Sequence, residues 1–115
     1  DLACIVGLNA QHGPIIQSVL KENERIGDIK VVAFDDQEET LEGIENGHIY
    51  ATIAQDPYMY GFEVVRMLCS VCREGESEVP IVGGGTKNIN TEAIKKENLS
   101  EFKSRLAARL EKTSQ

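Results

Sequence analysis

IKVVAFDDQEETLEGIENGHIYATIAQDP, residues 29–57, contains two β-type runs, one helical stretch and the punctuation between them. IKVVAF (29–34) and ATIA (51–54) are short and apolar, as strands inside a sheet should be. Between them, Asp36 and Glu39 fit a capping box for a short helix built on Leu41 and Ile44 and closed by Gly47. After ATIA, Asp56 is placed to cap a further helix with Pro57 at its first position and Gly75 at its end. Gln55 stands between strand and cap. Apolar alternation favours Val or Ile there, so a polar side chain at that point asks for another reason.

Working outward, the same unit recurs. ACIVGL (3–8) is a continuous apolar run, expected to be a strand buried on both faces. NAQHGP follows, then Ile15, Ile16, Val19 and Leu20 at helical spacing, with Pro14 in the first turn. The order β-α-β-α-β-α predicts an α/β fold: an open parallel sheet with right-handed crossovers and helices on both faces. EVPIVGGGTKNINTEAI (78–94) departs from the pattern and reads as an extended segment broken by glycines. It leads to a last helix with Leu99, Phe102, Leu106 and Leu110 on one face. Gly83 to Gly85 lack the following Lys-Ser/Thr of a phosphate loop and the GxGxxG spacing, and read as a turn.

Composition narrows the function. A chain of 115 residues with 41% hydrophobic side chains has material for one core. Twelve Lys and Arg against nineteen Asp and Glu give a net charge of −7, and aromatics are 5%. That balance argues against nucleic-acid binding by this segment, which would need a basic stripe. No apolar run approaches the ~20 residues of a membrane helix. The opening DLACIVGLN has no initiator Met and reads as the lead-in to a strand, so the chain is expected to be a fragment.

Cys4, Cys69 and Cys72 make an odd count without a disulfide framework. CSVC (69–72) matches CxxC, but His12 and His48 do not complete a zinc ligand set by spacing, so no metal or cofactor is expected. Phe62, Val65, Leu68, Cys69 and Cys72 recur at helical spacing, which predicts that both thiols lie on a buried stripe.

In an open parallel sheet, ligands bind outside the carboxyl ends of the strands. The first polar residues after the three runs are Asn9, Asp35 and Gln55. If the strands are neighbours, these converge on one rim, about 5 Å apart from strand to strand. Two amides and a carboxylate suit a neutral ligand rich in hydroxyls; a phosphate would call for Lys, Arg or bare N–H groups. Taken singly, Asn9 and Asp35 could equally cap the helices that follow them. Gln55 is the hardest to read this way, because Asp56 already holds the cap and Gln is a poor cap.

VVAFDD (31–36) with NGHIYATIAQDPYMYGFEVVRML (46–68) resembles the carboxy-terminal lobe of the ribose-binding-protein and lac-repressor type of periplasmic-binding-protein fold. The matching positions are Phe34-Asp35, then Gly47, Ile49, Ala51, Thr52, Ile53, Gln55, Pro57 and Gly61. GLNAQHG resembles the family's Asn-Asp strand end, with Ala10 in place of the Asp, and KKENLSEF resembles the lead-in to its terminal helix. The resemblance implies that residues 1–115 are a partial carboxy-terminal sugar-binding lobe, without the amino-terminal lobe and the start of its own. It implies that Asn9, Asp35 and Gln55 contact a monosaccharide.

The function so implied is the non-catalytic, solute-binding component of an ABC sugar importer, periplasmic or extracytoplasmic, whose partners are the sugar and a membrane permease. NGHIYATIAQDPYMYG is closer to importer-type members than to repressor-type ones. The alternative is the effector domain of a cytoplasmic regulator, which the unpaired cysteines favour. A phospho-acceptor site built on Asp35-Asp36 would need a third Asp and a Lys at the rim, where Asn9 and Gln55 stand instead. The strand Ala3–Leu8 has no Lys or Pro to protect an edge, so it is expected to pair with the missing lobe or with a second copy.

Overall fold

Residues 2–74 and 85–113 are described by a computed structural model of the chain. β1 is Cys4–Val6, β2 Lys30–Phe34 and β3 Ala51–Ala54, linked through α1 (His12–Glu22) and α2 (Glu38–Glu45). α3 (Pro57–Glu74), β4 (Glu92–Ile94) and α4 (Leu99–Thr113) follow. Two compact units result: residues 1–55 together with 92–115, and residues 56–91.

The sheet has the order β1-β2-β3-β4. β1, β2 and β3 are mutually parallel, with Val6 beside Val32 and Ala33 beside Thr52. β4 is antiparallel to β3, pairing Thr52 with Ile94. The sheet is therefore mixed: its parallel part is as expected, and an antiparallel edge strand extends it. The apolar content of residues 78–94 marks a strand, but strand direction depends on the route of the connection, which composition does not carry. Residues 75–84 lie outside the described residues, and with them the expected helix end at Gly75 and most of the glycine turn.

Register sorts the strand side chains into two faces. Val31, Ala33, Thr52, Ala54 and Ile94 share one face and are all buried, together with Leu20, Leu41, Ile44, Ile49 and Leu99 from the surrounding elements. Ile16 and Phe102 pack against this core, whereas Ile15, Val19 and Leu110 stay exposed. The predicted stripes of α1 and α4 are thus covered over half their width. β1 corrects the expectation of burial on both faces: Val6 is 53% exposed. Among the described residues the strand pairs with β2 on one side, and Cys4 and Val6, on the same face, are both exposed.

The capping box on Asp36 is not formed. α2 begins at Glu38 with Gln37 at the cap position and no side-chain cap bond. Starting one residue late moves Glu39 from the third helical position to the second, from which it cannot reach back. Glu38 and Glu39 still sit in the first turn, where the helix dipole favours acids. Gly47 ends the helix as predicted, at φ +78°, donating its N–H to Ile44 O at 3.1 Å.

α1 approaches the sheet closely because Gly13 has no side chain. A Cβ there would lie 2.8 Å from Thr40 Oγ1 and 3.0 Å from Ala33 Cβ. Thr40 is fully buried and its hydroxyl has no partner among the described residues. A buried, unbonded hydroxyl is destabilising. Thr40→Val, of nearly the same shape, is expected to stabilise the fold by about 1 kcal/mol, and a lowered melting temperature would contradict this.

α4 is held at its surface by ion pairs. Arg105 Nη2 donates to both carboxylate oxygens of Glu92 at 2.7 and 2.6 Å, and Lys103 pairs with Glu45 of α2. The hydrogen bond from Lys103 holds the Glu45 carboxyl below its ordinary range. These pairs are exposed and contribute orientation more than stability.

In the second unit, Asp56 Oδ1 accepts from Met59 N at 3.1 Å, so Asp56 caps α3 as predicted. The buried stripe is overturned. No residue of α3 is buried; Phe62, Val65 and Leu68 are 50% exposed or more, and Cys69 and Cys72 are exposed, free thiols. A stripe is buried only against a second apolar surface. The other described residues of this unit, 85–91, supply a single aliphatic side chain, Ile89.

Candidate functional site

β2 ends at Phe34, and the chain leaves the strand by a left-handed turn at the next residue, Asp35, φ +68°. Few L-residues adopt this conformation, but Asp and Asn are enriched in it. Two bonds to β3 hold the Asp35 backbone. Its N–H donates to Ile53 O at 2.9 Å, and Thr52 Oγ1 donates to its carbonyl at 2.7 Å. The peptides on either side of the strained Cα are thus both fastened to the neighbouring strand.

Its side chain is fastened as well. Gln55 Nε2 donates to Asp35 Oδ1 at 3.0 Å. The two residues stand at adjacent strand ends, since Phe34 is beside Ile53 in the register. This gives Gln55 the reason that capping did not supply: the chain turns into α3 under Asp56, leaving the amide to meet the carboxylate. Among the described residues, Asp35 forms no ion pair, so the carboxylate keeps its capacity to accept from hydroxyl donors.

Asn9 lies three residues beyond Val6, as Asp35 lies three beyond Val32, so the two occupy matching levels. Its side chain, however, turns to its own helix. Asn9 Oδ1 accepts from Gln11 N at 3.0 Å and from His12 N at 3.2 Å. With Ala10 where the family pattern has Asp, Asn9 itself supplies the acceptor for the start of α1. His12 completes the turn, accepting from Leu8 N at 3.1 Å through Nδ1. Of the three strand-end residues, Asp35 and Gln55 come together, and Asn9 bonds to neither.

Two features of this site were not anticipated: the left-handed backbone at Asp35 and the Thr52 hydroxyl beneath it. The sequence signal for the first is an Asp at a strand end where the chain turns sharply. For the second it is a lone hydroxyl in the apolar run ATIA. Among the described residues, no group of three or more His, Cys, Asp or Glu converges.

Residues 1–77 match the family model described as a periplasmic binding protein domain. No curated protein matches the chain. Among solved structures, the fold is similar to a glucose-galactose binding protein from Geobacillus stearothermophilus, with 26% identity, a TM-score of 0.76, and coverage of 86% of this chain and 33% of that one. It is also similar to an ABC transporter solute-binding protein from Agrobacterium vitis bound with α-D-tagatopyranose: 26% identity, TM-score 0.74, 86% of this chain and 31% of that. A third is an ABC transporter solute-binding protein from Burkholderia graminis in complex with D-arabinose: 29% identity, TM-score 0.68, 86% and 34%. The chain spans about a third of the length of each of these structures.

Proposed function

The chain belongs to the periplasmic binding protein domain family, and from that premise we propose that it contributes part of the carboxy-terminal lobe of a protein that binds a monosaccharide without transforming it. Asp35 and Gln55 are the sugar contacts, and Asn9 shapes the rim between them and α1. The role is that of the solute-binding component of an ABC importer, working outside the cytoplasm and delivering its sugar to a membrane permease. The observation that carries this reading is the Asp35–Gln55 pair, 3.0 Å apart, at neighbouring strand ends of a parallel sheet. A carboxylate aligned by an amide accepts two hydroxyls of one ring with little reorganisation, which is what recognition of a neutral polyol requires. The similar glucose-galactose binding protein and the similar solute-binding proteins bound with tagatopyranose and D-arabinose support the ligand class.

The test is calorimetry of the full-length protein with D-glucose, D-galactose, D-arabinose and D-tagatose. Saturable binding of at least one, with a Kd on the order of micromolar or tighter, is expected. Absence of binding to every pentose and hexose tried would overturn the assignment. The three free cysteines favour the second reading, an effector domain of a cytoplasmic regulator. Sugar-dependent DNA binding by the full-length protein would decide for it.

A further inference from the structure

We propose that Thr52 is a positioning residue for the sugar site: its buried hydroxyl sets the conformation of Asp35 and so the direction of the carboxylate. The inference rests on the reading of Asp35 as a sugar contact.

Thr52 lies on the core face of β3, beside Ala33 on one neighbour and Ile94 on the other, and is 0% exposed. Valine would fill that volume equally well, and a hydroxyl is unfavourable in such surroundings unless bonded. Among the described residues its partner is Asp35 O, at 2.7 Å. That carbonyl is the first beyond the end of β2. With the N–H of the same residue bonded to Ile53 O, β3 holds the backbone on both sides of the Asp35 Cα.

These two bonds bracket φ +68°, a region that an L-residue leaves when it is free to do so. The conformation decides where the carboxylate goes. In an extended chain Asp35 would continue the alternation of β2; turned left-handed, it meets Gln55 Nε2 instead. β3 and the residue that follows it therefore govern both halves of Asp35. Thr52 fixes its backbone, and Gln55, three residues later, fixes its oxygen.

Thr52→Val removes the hydroxyl at nearly constant shape, and Thr52→Ser retains it. In the full-length protein, Thr52→Val is expected to weaken binding of the best sugar of the four named above about tenfold, with Thr52→Ser restoring most of the affinity. In an Asp35→Ala background, Thr52→Val should change the affinity no further, because its effect runs through Asp35. A second readout needs no ligand: the amide–Hα Overhauser effect within Asp35, strong at positive φ, should fall in Thr52→Val and persist in Thr52→Ser. An unchanged Overhauser effect, or a full loss of affinity surviving in the Asp35→Ala background, overturns the proposal. If Asp35→Ala alone leaves sugar binding intact, the sugar site is wrong, and the Overhauser effect alone decides whether Thr52 sets the turn. Should Thr52→Val not fold, the unmodified protein still answers. A Thr52 hydroxyl proton slow to exchange with water supports the bond to Asp35, and a fast one overturns it.

Discussion

Asp35→Ala in the full-length protein is expected to weaken sugar binding a hundredfold or more. A carboxylate accepting two hydroxyls makes charge-assisted bonds worth roughly 1.5–3 kcal/mol each. Losing both exceeds the ~2.7 kcal/mol that a hundredfold change represents. The substitution also removes the partner of Gln55 Nε2, and alanine tolerates φ +68° less well than aspartate does. Asp35→Asn separates these effects. It keeps the shape and the tolerance for the turn and gives up the charge, so its loss should be smaller. Calorimetry with the tightest sugar decides, and an alanine variant that binds like the parent removes Asp35 from the site.

Ile94→Ala is expected to destabilise the protein by about 2–5 kcal/mol, the usual cost of emptying a filled core position. Ile94 is 0% exposed, pairs with Thr52 across the sheet and touches the central cluster. Against a typical total of ~5–15 kcal/mol, such a loss is large enough to bring the unfolded form into view at growth temperature. Urea denaturation with and without the substitution measures it. A change below about 0.5 kcal/mol would mean that β4 adds nothing to the core.

Ile94 also shows where sequence reading stops. The parallel strands were legible because each is an apolar run bounded by turn residues, and the crossover order fixes their hand. The sequence marks β4 as extended, but its antiparallel direction depends on a connection whose course periodicity does not describe. α3 shows a different boundary. Spacing located the apolar stripe of Phe62, Val65 and Cys69 correctly, yet spacing identifies a face and not what lies over it; the stripe is exposed. At the site, Asp35 and Gln55 were legible as polar residues misplaced at strand ends. The turn at Asp35 was not, because a positive φ at a non-glycine residue is imposed by neighbours such as Thr52 and Ile53.

The left-handed Asp35 also has a consequence for variation over generations. Its backbone admits Gly, Asn and Asp most readily, while the ligand asks for an acid. Glu carries the acid on a longer side chain that lacks the tolerance for the turn, and Gly has the tolerance but no acid. Asn alone satisfies the backbone and keeps the shape of the polar group, and in the genetic code it is one base change from Asp. Drift at position 35 is therefore channelled to a single neighbour, and a lineage that changed its sugar would do so more readily at the rim around Asp35 than at Asp35 itself.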